Sequence, residues 1–501
     1  MKREKREASR EYRGGHGGGG PSHYGKRQRR DKNLERSSSR PSERDREADR
    51  SRGKRESHQR DRSRPSASSK HKYSTRSQDD GWRRGDHRER AKDADGRSGG
   101  AKAKADKPST SCRENAPEPA STSYSSYRFL QNKLTPPWRS DDEDGHYRYD
   151  LGENFTKRYK ILSHLGEGTF GKVIECWDRL HEQYVAIKVI RSVPKYRTAG
   201  MLEIAVLNTV RKQQQSFSGG SHCVHFREWF DYRGHICIVF SKLGLSLFDL
   251  LRKNRYRPFD LFHVQTFAKQ MLETVDFLHK IKLIHTDLKP ENILLPTHKY
   301  YKVQPPKGSK KGKRVPEKAE LYLIDFGSAT FEDQHHSKIV STRHYRAPEV
   351  VLGLGWSYPC DIWSLGCILV ELVTGEALFK MHDNLEHLAM MEKVLGRVPS
   401  RMVAKILSSS SHSGAPEYFD AETGDLAWPE RCKLTDSVQA VSELKDLRQL
   451  VEEKGDASIM PHVDDLVDLI RGLLLFDPER RMTASQGLQH KFFTLPVPRS
   501  S

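Results

Sequence analysis

The chain has 501 residues, is only 35% hydrophobic and 31% charged, and carries a formal net charge of +20, so part of it cannot build a core. The imbalance is local. Residues 1–139 hold 38 Lys and Arg against 20 Asp and Glu, residues 140–150 (SDDEDGHYRYD) one base against five acids, and the remainder 48 bases against 42 acids. No apolar run is long enough to cross a bilayer, the first residues (MKREKREASREYRGG) lack the apolar stretch of a secretory signal, and seven scattered cysteines form no CxxC pair. These features predict a soluble intracellular protein with reduced thiols and no membrane partner.

In chain order, residues 1–145 are Arg, Ser, Gly and Asp with neither a 3.6 nor a 2.0 period, which predicts a disordered, basic, Arg/Ser-rich tail. ERSSSRPSERDREADRSRGKRES (35–57) and RDRSRP (60–65) alternate Arg with Ser and acids. Such stretches are either a solvated low-complexity tail or a segment that associates with other Arg/Ser-rich proteins and, weakly and salt-dependently, with RNA. KRQRR (26–30) reads as a nuclear import signal, a string that any Arg-rich tail also yields by chance.

Order is expected from Tyr159. YKILSHLG and KVIECWDRL alternate, EQYVAIKVI is β-branched and CIVFSKL is a further strand, so 159–243 predicts a small, mostly antiparallel sheet. AGMLEIAVLNTVRKQQ interrupts it as a helix with apolar residues at 202, 206, 207 and 210. Across 244–495 helical patterns dominate, as in FHVQTFAKQMLETVDFLHKI and DIWSLGCILVELVTG. The class is α+β: two lobes, the first a sheet with one main helix, the second mainly helical.

GEGTFGKV places Gly166, Gly168 and Gly171 in GxGxxG spacing. A strand, KVIECWDRL, follows it, so a hairpin lid over phosphates fits better than the strand-to-helix turn of a dinucleotide-binding domain. In VAIK, Lys188 is a lone cation among apolar strand residues, 15 positions before Glu203 on the helix. A lone Lys ordinarily snorkels outward and a lone helix Glu is ordinarily solvated; in this company they suit an ion pair that fixes the ammonium against the α- and β-phosphates. In HTDLKPEN (285–292), Asp287 suits the proton acceptor, Lys289 the transferring phosphate, and Asn292, with Asp325 of DFG, a Mg²⁺ ion that needs hard oxygen ligands. APE closes the set at 347–349.

Five motifs in this order resemble a eukaryotic protein kinase, over roughly 159–495. STRHYRAPEVVLG points to the group that includes the cyclin-dependent and mitogen-activated kinases, and EHLAMMEKVLG (386–396) is similar to the signature of the LAMMER, or CDC-like, kinases. The resemblance implies an ATP-dependent, dual-specificity kinase in the nucleus, with the cytoplasm as a second location, acting on Arg/Ser-rich splicing factors and so regulating pre-mRNA splicing. It implies a monomeric catalytic domain using Mg²⁺, with Mn²⁺ as an alternative. It assigns ATP to Leu165, Gly166, Glu167, Gly168, Thr169, Phe170, Gly171, Lys172, Val173, Ala186 and Lys188, to a gatekeeper Phe240, and to backbone groups of Ser241 and Leu243. Catalysis falls to Asp287, Lys289, Lys188 and Glu203, the metal to Asn292 and Asp325, and the activation segment to Ser337, Ser341 and Thr342.

Several positions depart from the wider kinase pattern. Thr286 stands where most kinases have the Arg that pairs with an activation-loop phosphate, a Thr the LAMMER family shares, so activity is expected to depend little on loop phosphorylation. Ile339 occupies the place of a regulatory Tyr in mitogen-activated relatives. Ser241-Lys242 replace an acidic start of the inter-lobe link, and Lys393 replaces a family Arg. An insertion at about 296–320 contains KVQPPKGSKKGKRVPEK (302–318), with seven bases and one acid: a solvated hairpin tip, or a dock for acidic or phosphorylated partners or the import machinery. PEYFDAETGDLAWPE (416–430), with five carboxylates and no Lys or Arg, is the acidic ground a basic substrate would prefer. Laid on a helix, EHLAMMEKVLG puts Leu388, Met391 and Leu395 on one packing face and His387, Met390 and Lys393 elsewhere. A catalytically lapsed scaffold, or a tail-centred RNA-binding module with the kinase as cargo, is the competing reading; the first fits poorly because Lys188, Asp287 and Asp325 are all present.

Overall fold

The computed structural model describes residues 136–303, 312–408 and 415–497. The expected tail up to residue 135, with its Arg/Ser segments, the import string and Cys112, and most of the basic insertion's tip lie outside these.

Five antiparallel strands form the first lobe: β1 (Tyr159–Gly168), β2 (Gly171–Asp178), β3 (Gln183–Ile190), β4 (Phe226–Tyr232) and β5 (His235–Ser241), in the order β1-β2-β3-β5-β4. Helix α1 (Pro194–Ser216) lies between β3 and β4 in sequence. β4, FREWFDY, was not foreseen: its alternation is broken by a register shift between Phe226 and Glu228. β5 reads as a continuous apolar run because both faces of the sheet are covered. Ile236 and Ile238 join the core shared with Ile204 and Leu207 of α1, whereas Cys237 and Val239 face a second cluster with Ile161, Ile174 and Ile187.

The second cluster also contains Tyr147 and Phe155, which corrects the boundary read from composition. Residues 136–158 pack on the sheet rather than preceding it as a linker. Tyr147 sits edge-on to Phe155 at 5.1 Å, and both are buried. The acidic string 140–150 looks like a solvated run because the bases it meets, Lys172, Arg191 and His235, are 30 to 94 positions away. On α1, Val206, Leu207 and Val210 of the expected stripe are buried together with Gly200, Glu203 and Ile204, whereas Leu202 is 61% exposed; the acid Glu203 takes the inward place that hydropathy gave to Leu202.

The helical lobe is organised by α2 (Leu261–Lys280), α3 (Pro359–Thr374) and α4 (Asn384–Leu395). Every residue of α3 from Cys360 to Thr374 is buried, as a helix apolar on all sides requires. Helix α4 carries the LAMMER string and is N-capped by Asp383, which accepts from the Glu386 amide at 2.9 Å. Leu388 and Met391 are fully buried as expected, but Glu386, His387 and Met390 are buried too, so Lys393 is the string's main exposed side chain before Gly396. The basic insertion forms a hairpin, β8 (Tyr300–Val303) with β9 (Lys313–Pro316), pairing Tyr301 with Val315. Two of its bases are engaged: the Arg314 guanidinium donates to the Lys253 carbonyl and Lys313 reaches Asp456 at 3.4 Å.

Four short strands position the chemistry. β6 (Leu283–Ile284) pairs with β11 (Thr330–Phe331), and β7 (Ile293–Leu294) pairs with β10 (Tyr322–Leu323). The loop 285–292 is thus held at both ends against the loop 324–329, which is held at both ends in turn.

Candidate active site

Lys188 leaves β3 and donates to both oxygens of Glu203 on α1, at 2.8 and 2.9 Å, and to Oδ1 of Asp325 at 2.9 Å. Burial would discharge this ammonium, but the two carboxylates more than offset that and raise its pKa, so it stays a cation. Partial burial likewise pushes Asp325 upward, and Lys188 outweighs it, holding the carboxyl below its ordinary value. A Cβ added at Gly327 would lie 3.3 Å from both Asp325 and Glu203, a tight approach that would press on the carboxylates of this triad.

A second cluster surrounds Asp287. The Thr342 amide and hydroxyl donate to Asp287 Oδ1 at 3.0 and 2.6 Å, and Lys289 donates to Oδ2 at 2.6 Å and to the Thr342 hydroxyl at 3.1 Å. Burial alone would raise the Asp287 pKa; Lys289 and Thr342 reverse this and keep it ionised at neutral pH, the form able to accept a proton. Asn292 gives its side-chain N–H to the Asp287 carbonyl at 3.0 Å, which leaves its amide oxygen for a cation. The amide of Ile324 donates to the Asn292 carbonyl at 2.9 Å, tying the two clusters together through backbone.

No group of three or more His, Cys, Asp or Glu among the described residues is placed to hold a metal ion. Asn292 and Asp325 supply two hard oxygens, a set that fits Mg²⁺ only when nucleotide phosphates and water complete the shell. When bound, the ion neutralises charge on the phosphates.

The glycine-rich turn closes β1 and β2 as a hairpin, with Gly168 opposite Gly171 and Gly166 opposite Val173. A Cβ at Gly171 would lie 2.1 Å from the Val189 carbonyl oxygen, so the fold itself requires this glycine. At Gly166 and Gly168 a Cβ would meet nothing within 4 Å. No protein atom occupies the space a side chain would take there, which leaves room for a ligand's oxygens to reach the backbone. Leu165 and Phe170 on the same turn are 41% and 39% exposed, while Glu167 and Lys172 lie on its flanks. Ala186 is opposite Phe240 in the β3–β5 ladder, and Val173 opposite Lys188 in β2–β3. The Ser241 amide is taken by the His225 carbonyl at 3.0 Å, so Ser241 offers a ligand its carbonyl rather than its N–H. Lys242 is occupied by the Leu243 carbonyl and by His298, both at 3.0 Å.

The activation segment is held by neutral or permanently charged groups. Thr286, at φ 67°, donates its hydroxyl to the Ser328 carbonyl at 2.9 Å. Trp356 stacks on His336 at 4.2 Å and donates to the Ser337 carbonyl at 2.8 Å. Arg346 donates to the carbonyls of Val340 and Ser341 at 2.9 and 2.8 Å, and Ser341 adopts φ 67°. Ile339 is 66% exposed. Thr286, Asp287, Ser337, Ser341, Thr342 and Arg346 together line an open pocket of about 400 Å³ beside the proton acceptor.

Asp361 was missed in the sequence. Its two oxygens accept from the backbone amides of His285 and Thr286, each at 2.9 Å, and so fix the start of the catalytic loop. The available signal was an acid in the first turn of a mostly apolar helix. His285 adds a packing link, its ring edge-on to Phe326 of DFG at 5.3 Å.

Residues 159–493 match the protein kinase domain family. The chain is 53% identical to the serine/threonine-protein kinase AFC2 of Arabidopsis thaliana, over 72% of this chain and 82% of that one. It is 45% identical to the dual specificity protein kinase lkh1 of Schizosaccharomyces pombe, over 72% and 50%. With the dual specificity protein kinase CLK2 of Homo sapiens it shares 44%, over 70% and 67%. A crystal structure of a kinase domain superposes with TM-score 0.63 at 32% identity, covering 70% of this chain and 100% of the other.

Proposed function

The chain belongs to the protein kinase domain family, in its LAMMER or CDC-like branch, and from that premise we propose that it transfers the γ-phosphoryl group of ATP to Ser and Thr of Arg/Ser-rich proteins, and to Tyr at least in itself. Lys188, fixed by Glu203, grips the nucleotide phosphates; Asp287 takes the substrate hydroxyl proton; Lys289 bridges Asp287 and Thr342 and neutralises the transferring group. Splicing factors in the nucleus are the proposed substrates.

The observation that carries the substrate class is charge. Glu417, Asp420, Glu422, Asp425 and Glu430 are all exposed in 416–430, and a surface of this sign favours Arg-rich chains. The same class of sequence occurs in the chain's own residues 35–65.

Matched peptides of Ser-Arg, Ser-Pro and acid-flanked type, phosphorylated by the full chain, test this. The Arg/Ser peptide should give the highest kcat/KM, and replacing Glu417, Glu422 and Glu430 by Gln should raise its KM while leaving the KM for ATP unchanged. Preference for the acid-flanked peptide would overturn the substrate assignment, and Lys188→Met serves as the inactive control.

A further inference from the structure

We propose that residues 139–150 are a strap that sets the position of the glycine-rich turn, with Asp142 and Arg191 as positioning residues for nucleotide binding. The strap makes its own turn. The amides of Asp144 and His146 donate to Asp142 Oδ1 at 3.2 and 2.7 Å, and the Gly145 amide to the Asp142 carbonyl at 3.0 Å. Gly145, at φ 78°, accepts from the Ser192 amide at 2.8 Å, and a Cβ there would lie 2.9 Å from Val193, so glycine permits the close approach. Behind the turn, Tyr147 packs on Phe155, Tyr232 and His235. His235, fully buried, bridges Asp141 at 2.9 Å and the Ile190 carbonyl at 2.7 Å. This anchorage to β3 and β5 gives the strap a fixed base.

From that base the strap reaches both sides of the glycine-rich hairpin. Tyr149 pairs with His164 of β1 at 2.7 Å. The free oxygen of Asp142, Oδ2, meets Lys172, the residue after Gly171, at 3.4 Å. Arg191 supplies the third link: its guanidinium donates to the Asp144 carbonyl at 2.6 Å and to the carbonyl of Thr169, at the tip of the turn, at 3.3 Å. Its plane lies over Tyr196 of α1, 4.7 Å from the ring centroid, and Tyr196 is edge-on to Phe170 at 5.8 Å. A glycine-rich turn with empty space at Gly166 and Gly168 has little packing of its own to hold it. Two polar contacts from the fixed strap, and Arg191 bridging strap and turn, therefore add to the backbone bond from the Arg191 amide to the Phe170 carbonyl at 3.0 Å in setting where the turn's amides stand before nucleotide arrives, and preorganisation of this kind is read as affinity.

Asp142→Asn is the informative variant, because the amide still caps the Asp142 turn through Oδ1 but gives Lys172 no charge. Arg191→Gln removes the bridge to Thr169, and Arg191→Lys restores a cation without the fork. In the full chain, Asp142→Asn and Arg191→Gln should each raise the KM for ATP about threefold, the scale of a partly exposed ion pair, with the peptide KM unchanged. Arg191→Lys should fall between wild type and Arg191→Gln. The wild-type KM for ATP should also rise with ionic strength, and that rise should be smaller in Asp142→Asn. Unchanged ATP KM in both variants, or peptide KM rising in parallel, would overturn the strap's role. The inference rests on reading the turn as the nucleotide's lid: a wild type without kinase activity would sink that reading, whereas an active wild type with indifferent variants sinks only the strap.

Discussion

The Thr342 hydroxyl lies 2.6 Å from Oδ1 of Asp287, so it directly solvates the carboxylate proposed as the proton acceptor. Lys289 holds the other oxygen at the same distance. Thr342 is therefore more than a segment marker. Thr342→Val keeps the backbone N–H bond and the side-chain volume but removes a hydrogen bond to a charged group, worth about 1.5–3 kcal/mol. The expected result is a fall in kcat of roughly 10- to 100-fold with ATP KM unaltered. Because the lost donor lowers the Asp287 pKa, the acid limb of the kcat profile should move to higher pH in Thr342→Val. Thr342→Ser should behave as wild type. A Val variant of normal kcat would show that the hydroxyl contributes nothing to the chemistry.

Phosphatase treatment of the purified enzyme should leave its activity intact within about twofold, since the usual charged partner of a loop phosphate is replaced here by Thr286. Thr286 places a hydroxyl on the Ser328 carbonyl, in the position where an Arg would await a phosphate, and Trp356 and Arg346 hold the segment through carbonyls instead. The check is kcat/KM before and after treatment, with mass spectrometry confirming bare Ser337, Ser341 and Thr342. Loss of activity on dephosphorylation, recovered on incubation with ATP, would refute it.

The residues that cluster in the candidate site were legible because each is a chemical type at a fixed spacing from its neighbours in sequence. Lys188, Glu203, Asp287, Asn292 and Asp325 all sit in short strings whose meaning is local. What escaped notice depended on partners far apart. Asp361 acts 76 residues from His285, and nothing near it announces that its oxygens will cap backbone amides. The strap's packing was not legible, and its first residues were counted with the tail, because Asp141 and Asp142 find His235 and Lys172 only after the sheet has formed. Leu202 was placed in the core by hydropathy, but the ion pair with Lys188 requires Glu203 to face inward and turns Leu202 outward. The LAMMER string was read as packing through Leu388 and Met391, which are buried, and His387 and Met390, placed off that face, are buried as well.

Glu371 on α3 is buried and accepts the Tyr345 hydroxyl at 2.7 Å. Burial raises its pKa from 4.5 to about 6 even though the Tyr345 bond pulls the other way. A carboxyl raised on folding stabilises the fold fully below the unfolded value, and that contribution is lost as pH rises through the folded value. The window is therefore pH 4.5 to 6, and the ionised group costs on the order of 2 kcal/mol above it. Glu371→Gln can still accept the Tyr345 hydroxyl without carrying charge. It should melt higher than wild type at pH 7.5 and lose the decline between pH 4.5 and 6. An equal slope in both proteins across that window would place the pH dependence elsewhere.

Two glycines three positions apart should respond to the same substitution in opposite ways. At Gly171 an added methyl would lie 2.1 Å from the Val189 carbonyl oxygen, a backbone atom that cannot swing aside without breaking the β2–β3 ladder. Gly171→Ala should therefore lower stability by several kcal/mol, on the scale of severe overpacking, and show it as a lower melting temperature without nucleotide. At Gly168 the same methyl meets no protein atom within 4 Å. Gly168→Ala should fold with wild-type stability, and any cost should emerge only when a phosphate needs the space, as a raised KM for ATP with peptide KM unchanged. The pair separates what the fold demands from what the nucleotide demands. If Gly168→Ala lowered the melting temperature of the nucleotide-free protein while leaving ATP KM alone, the space over that residue would be structural, and the turn's claim to the phosphates would fail.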